Sequence, residues 1–338
     1  MLEGMGELCS GTMKANPMKT PLLPQRLTLA VLCLAAAWSG GPRLHAAEKD
    51  VLNYEAQRAA PAGTRRIVFI AAKGTHGGRG NHEFQAGSLY FARRINATYP
   101  NAYAVVYTDD KWPKDLSNAD AVVVLLNHAA QAAEDPGIKA ATERGAGFMA
   151  IHFGVEVNKG VQGDNFLKWM GGYFETFWSV NPWWEPKMTV AAEHPTARGV
   201  KPFVIKDEWY YHMRFTEGMK GVTPILSAVA PVNTVNFTDK ASDRGGNEEV
   251  LRAVKAGEPQ HLAWAFERPD SGRGYGFTGF HNFANLTNDS FRAALLNGIA
   301  WVSKLDVPAG GVATATPTAA ELEALMDEVH GPATPAAK

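Results

Sequence analysis

Histidine is the residue type with the most chemistry to offer in this sequence. Ten occur, and several sit beside glycine, carboxylate or phenol side chains. His76 lies within a glycine-rich stretch, Lys73 to Asn81, His82 comes right after it, and Glu83 follows His82 directly. His152 ends the apolar run Gly147-Phe-Met-Ala-Ile. Asp207-Glu208-Trp209-Tyr210-Tyr211-His212 packs acids, phenols and an imidazole into six positions, and His281 follows Gly279-Phe280. An imidazole titrating near 6.5 serves as general base, general acid or metal ligand. If Asp207 to His212 is one strand, Glu208, Tyr210 and His212 share a face by the period of two. We therefore take His152, Glu208 and His212 as candidate catalytic residues. His76, His82, Glu83, Tyr210, Trp178 and His281 are the candidate substrate contacts. His76, His82, His152 and His281 could together hold a divalent metal, since several histidines with a carboxylate suit zinc, manganese or iron. No H-x-x-x-H or H-E-x-x-H spacing occurs, so such ligands must come together from separate loops. A satisfied structural histidine or a solvated turn remains the plain alternative at each position. His194 reads as a turn residue, and His261 and His330 as surface residues.

Other chemistries are excluded or weakened. Both cysteines, Cys9 and Cys33, lie in the first 33 residues, inside what reads as an export signal, so the mature chain offers no thiol nucleophile. No G-x-S-x-G elbow is present. The glycine-rich loop lacks the Lys-Ser/Thr ending of a phosphate loop. Formal net charge is −1 overall and −3 after residue 47, where 29 basic face 32 acidic residues. That balance gives no basic face for nucleic acid. The expected partner is a small molecule, and the resemblance described below implies that it is a carbohydrate. Oligomeric state is left open.

The elements that must position these groups alternate in type. Lys14, Lys19 and Arg26 precede an apolar run from Leu27 to Trp38, then small residues at Ala46-Ala47. This is the order of a signal peptide over residues 1–47, with too short an apolar run for a stable membrane span. Secretion or a periplasmic location follows from that reading. A spacer, 48–64, leads to an α/β domain over 65–305. Arg66 to Ala72, Ala102 to Tyr107, Ala121 to Leu126 and Gly147 to His152 read as buried strands, and Glu83 to Ile95 and Pro136 to Arg144 as helices. Strands alternating with helices predict a doubly wound, mostly parallel sheet of flavodoxin-like type, in one domain. Ligands then sit beyond the C-terminal strand ends. That rule picks out the loop after Ala72, Asn127-His128, and His152 to Gly154. A Trp-rich insertion from Gly163 to Pro186 reads as a core wall or as a stacking face for a sugar. Further strands are expected at Phe203–Ile205, Thr223–Ala228, Val232–Phe237, Leu262–Phe266 and Tyr275–Gly279, with a last helix from Asp289 to Lys304. The tail, 306–338, is Ala/Pro-rich with one short helix opened by a capping box, Thr318-Ala-Ala-Glu321.

Six strings in order resemble one known family. They are Lys73 to Gly87, His152 with Val155-Glu156-Val157, Gly171-Gly-Tyr-Phe-Glu175, His194-Pro-Thr196, Asp207 to His212, and Gly272 to Gly279 leading to His281. Together they look like the ThuA-like (trehalose utilisation) family, over about Arg66 to Lys304. The resemblance implies a class I glutamine amidotransferase-like fold without the catalytic cysteine. It implies carbohydrate catabolism, often beside oxidoreductases that make 3-keto sugars. The sequence departs from the family pattern at Phe177, Trp183 and Phe283, where related sequences tend to carry histidine. Two functions stay open here. One is an enzyme acting on a 3-keto glycoside or related sugar by His/Glu acid–base chemistry, with or without metal. The other is a non-catalytic sugar-binding module. A cysteine-dependent amidotransferase is disfavoured.

Overall fold

The computed structural model describes residues 62–74, 76–236 and 244–333. The expected signal peptide at 1–47 and nearly all of the expected 48–64 spacer lie outside the described residues. Strands β1 (Arg65–Ala71), β2 (Ala102–Thr108), β3 (Ala121–Leu125) and β4 (Gly147–Ile151) form where β-branched and apolar residues run without a polar break. β3 and β4 are buried at every position, as parallel strands covered on both faces must be. Between them lie helices α1 (Phe84–Thr98), α2 (Ala130–Glu134) and α3 (Pro136–Glu143). Asp135 caps α3 by accepting from the Ile138 N–H, with Pro136 in its first turn.

Helix α4 (Val161–Met170) then leads through β5 (Gly172–Tyr173), β6 (Trp183–Trp184), β7 (Thr189–Val190), β8 (Asp207–Glu208) and β9 (Arg214–Phe215). β10 (Val222–Val229), α5 (Glu248–Lys255), β11 (Pro259–Glu267), β12 (Arg273–Phe277) and α6 (Asp289–Val302) complete the domain. The main sheet runs β2-β1-β3-β4-β12-β11-β10-β7. The first five strands are mutually parallel. Their order is the flavodoxin-like 2-1-3-4-5 pattern, with its switch point between β1 and β3. The remaining three strands extend the sheet antiparallel. The chain thus has a doubly wound, mostly parallel α/β fold of flavodoxin-like type.

Three strand expectations differ from what is observed. Phe203–Ile205 contributes a single bridge, Val204 with Lys187, and Val204 is more than half exposed. Val232–Phe237 begins as a 3-10 turn at Val232–Thr234 after Pro231, and Phe237 itself lies outside the described residues. Asp207–His212 is a strand only at Asp207–Glu208, paired with Trp184 and Trp183. The backbone reaches a left-handed conformation at His212, φ 58°, so the period-two face does not extend that far. Helix α4, inside the Trp-rich stretch, had no separate sequence signal. The double tryptophan divides its roles: Trp184 is buried and donates to the Trp209 carbonyl, whereas Trp183 is 47% exposed.

The tail packs on the domain. Val307, Val312, Leu322 and Met326 join the core. Its helix, α7 (Ala319–His330), opens with both arms of the expected capping box in place. Among the described residues no helix is long and apolar enough to cross a membrane.

Candidate functional site

The site lies beyond the C-terminal ends of β1, β4 and β12, where an open α/β sheet leaves its crevice. Three loops and the short strand β8 bring in one group each. The loop after β1 carries His82. His152 is the first residue past β4, at φ 52°, where the strand turns into a 3-10 turn. A non-glycine residue there costs of order 1–3 kcal/mol and persists only where its surroundings enforce it. The sharp turn swings the imidazole off the sheet top, as nucleophile elbows do. The loop after β12 carries His281, and Glu208 comes from β8.

Two of these loops are zipped together. His82 N–H donates to the His281 carbonyl at 2.8 Å, and Phe283 N–H to the Gly80 carbonyl at 2.9 Å. Asp207, fully buried, anchors the β12 loop from below. Its carboxylate accepts from the backbone N–H groups of Glu208, Phe280, His281 and Asn282 and from the Asn285 amide, at 2.8–3.3 Å. Gly87 on α1 lets this loop approach, because a Cβ there would lie 2.5 Å from the Phe280 ring.

The imidazoles and carboxylate converge tightly. One ligand atom from each of His82, His152, Glu208 and His281 falls within 4.8 Å of the others. His82 Nδ1 bonds the His76 carbonyl and His152 Nδ1 bonds the Thr278 carbonyl, both at 2.9 Å. A carbonyl can only accept, so each Nδ1 carries a proton, and Nε2 is bare whenever its ring is neutral. Those two Nε2 atoms face one another at 3.2 Å. Glu208 Oε2 lies 3.4 Å from His152 Nε2 and 3.0 Å from His281 Nδ1. Tyr210 Oη sits 3.4 Å from both His152 Nε2 and Glu208 Oε2.

The electrostatics follow from this packing. Burial, reinforced by His152, lowers His82 to about 3, so the ring is neutral near pH 7. Burial alone would raise Glu208. The hydrogen bonds and positive charge offered by His152 and His281 outweigh it and bring the carboxyl to about 2. Burial, then the Glu208 charge, pushes the Tyr210 phenol well above its usual value, so it stays a donor. With the rings neutral, two bare ring nitrogens and a carboxylate around one point form a donor set that fits a divalent cation. The bonds from Nδ1 to carbonyl oxygens are the outer contacts that fix metal-binding histidines in one tautomer.

The structure therefore brings together His82, His152, Glu208, Tyr210 and His281. His76 lies beside them, stacked on His82 at 3.7 Å between ring centroids, but outside the four-residue cluster. Three other candidates stand apart. Glu83 is turned away from the crevice, buried against the Gly80 N–H and His330. His212 points its Nδ1 at the Trp178 carbonyl, and Trp178 packs on His212 and under the Arg214 guanidinium. These three separate from the cluster because the chain turns at each of them.

Sequence reasoning missed the anchoring role of Asp207, although its place in the acid-rich string was a signal. It also gave no prominence to Trp183, which pairs with Glu208 and lies 4.4 Å from the His281 ring with half its surface open. A buried ion pair, Glu156 with Arg244, borders the same crevice beside Phe153, and no local spacing could have joined residues 88 apart.

Residues 74–302 match the family described as ThuA, trehalose utilisation. A ThuA-like protein from Bacteroides uniformis is similar at 18% identity, with 77% of this chain and 98% of that chain covered and a TM-score of 0.49. PurLQS from Thermotoga maritima is similar at 10% identity, with 71% and 97% covered and a TM-score of 0.37. A GMP synthase protein from Thermoplasma acidophilum is similar at 12% identity, with 71% and 95% covered and a TM-score of 0.37. Among curated proteins none matches.

Proposed function

The chain belongs to the ThuA family, a trehalose-utilisation family, and from that premise we propose that it is an exported carbohydrate-utilisation enzyme acting on a keto glycoside. The observation that carries this reading is the pair of Nε2 atoms, His82 and His152, facing at 3.2 Å beside the Glu208 carboxylate. Two lone pairs so placed repel unless a cation lies between them. Burial disfavours a proton on His82, and a divalent metal held by His82, His152 and Glu208 is a cation that this donor set fits. A divalent cation bound there supplies Lewis-acid polarisation of a carbonyl oxygen.

The protein's own groups supply the proton chemistry. Glu208 orients His281 through Nδ1 at 3.0 Å, leaving Nε2 as a general base. A keto group acidifies the neighbouring C–H, so His281 Nε2 takes that proton. The C–H electron pair forms a C=C bond as the glycosidic C–O bond breaks. Tyr210, held protonated by burial, is the acid within the cluster that returns a proton to the departing oxygen. Trp183 offers its exposed face to the apolar side of a pyranose. The signal-peptide reading of residues 1–47 places this work in the periplasm or outside the cell.

The test is turnover of a 3-keto glucoside by the purified mature chain. We expect loss of the glycosidic bond, with the rate falling at least ~100-fold in His281→Ala, the usual scale for a missing acid–base group. Binding of the sugar without turnover would overturn the enzyme reading in favour of a sugar-binding module.

A further inference from the structure

Helix α7 lies outside the residues that match the family, 74–302, yet its last turn reaches the loop that presents His82. His330 Nε2 meets Glu83 Oε2 at 2.6 Å, and the Glu83 side chain is fully buried. The other Glu83 oxygen, Oε1, accepts from the Gly80 N–H at 2.9 Å. Arg79, in the same loop, pairs with Glu323 at 2.7 Å, with Asp327, and with the Gly331 carbonyl at 3.3 Å. One turn along, Arg93 of α1 makes a two-point pair with Glu328 at 2.7 and 2.8 Å. Leu322 and Met326 seat the helix in the core.

Packing against its glycines does not shape this loop, whose other ties are the Phe283 N–H to the Gly80 carbonyl and the Asn127 amide to the Gly74 carbonyl. Gly77, Gly78 and Gly80 all have φ between 84° and 89°, and a Cβ at Gly74, Gly78 or Gly80 would meet nothing within 4 Å. A chain of glycines in open space keeps one conformation only where polar contacts hold it. The loop conformation in turn places the His76 carbonyl, which accepts a hydrogen bond from His82 Nδ1–H and so keeps Nε2 bare.

We propose that α7 is a clamp on the glycine loop, and that His330 and Arg79 are positioning residues that fix the His82 tautomer through Glu83, Gly80 and the His76 carbonyl. The consequence for ligand binding rests on the metal reading above; the clamp itself does not. His330, read from the sequence as a surface residue, thereby acquires a role in the site.

The test uses the full chain with His330→Ala and His330→Gln, since an amide can still donate to Glu83. Amide hydrogen exchange is followed for residues 73–83, with β3 as reference. The long-range 1H–15N spectrum of the His82 ring reports which nitrogen carries the proton. We expect His330→Ala to raise exchange at Gly80 about tenfold, the scale of one lost hydrogen bond, and to give a mixed His82 tautomer. β3 should be unchanged, and His330→Gln should resemble the parent. Unchanged loop exchange, or faster exchange with the His82 tautomer intact, would overturn the proposal. Zinc affinity of the same proteins separates the two ideas. A parent chain that binds no zinc sinks the metal reading while the exchange and tautomer data still decide the clamp. A parent that binds should lose about 10–100-fold in His330→Ala, as outer-contact changes do.

Discussion

Replacing Asp207 with asparagine should unfasten the loop that carries His281. Oδ1 of Asp207 accepts from Glu208, His281 and Asn282 N–H at 2.8, 3.1 and 3.3 Å, and Oδ2 from Phe280 N–H and the Asn285 amide, both at 2.9 Å. An asparagine can keep one oxygen, and the arrangement that loses least keeps it at Oδ1. Its NH2 then faces two donors. Each buried donor left without an acceptor costs about 1–3 kcal/mol, so two cost about 2–6 kcal/mol. Turning the Asn285 amide over would relieve one clash but give up its bond to the Lys206 carbonyl, which keeps the cost near the lower half, about 3 kcal/mol. At about 2–4 °C per kcal/mol for a chain of this size, Tm should fall by about 6–12 °C. Urea unfolding of both proteins measures the free energy directly. A change below about 1 kcal/mol, within the range of an ordinary surface substitution, would refute the view that this buried carboxylate organises the β12 loop.

Other outcomes follow from the same contacts. Gly87→Ala drives a methyl into the Phe280 ring at 2.5 Å and should cost about 1–3 kcal/mol by urea unfolding, as overpacking does. Trp183→Ala should raise KM for a keto glycoside about 2–12-fold, the scale of one aromatic contact, and leave kcat nearly unchanged; an unaltered KM would remove Trp183 from the sugar site. His128, His194, His212 and His261 are all lowered from 6.5 by burial. Below 6.5 the unfolded chain takes up protons that the fold refuses, so stability is greatest above 6.5 and falls as pH drops toward the lowered folded values. Thermal unfolding between pH 7.5 and 5.5 should show this slope, and His261→Gln should reduce it; a flat profile would contradict it.

Much of this was legible because buried parallel strands announce themselves. Ala121 to Leu126 and Gly147 to His152 are apolar without interruption, and a polar residue closing such a run has little choice but to leave the sheet at its top. His152 and His281 were found in that way. What the sequence hid depends on where the chain turns between elements. The Asp207–His212 string reads as one strand, but the strand ends at Glu208 and pairing resumes only as a single bridge, Tyr211 with Val180, before the left-handed turn at His212 carries that ring away. Glu83 follows His82, yet the start of α1 turns it to the opposite side, onto a histidine 247 positions later. The capping box at Thr318 revealed a helix, but contacts such as Arg79 with Asp327 belong to tertiary structure and leave no local pattern.

The central claim is that His82 and His152 hold a cation between them. Elemental analysis of the purified mature protein, beside His152→Ala, tests it most directly. The account predicts about one equivalent of a divalent transition metal in the parent, as two histidines and a carboxylate would hold, and its loss in the variant. Metal absent from the parent even after incubation with zinc or manganese, or retained in full by His152→Ala, would contradict it.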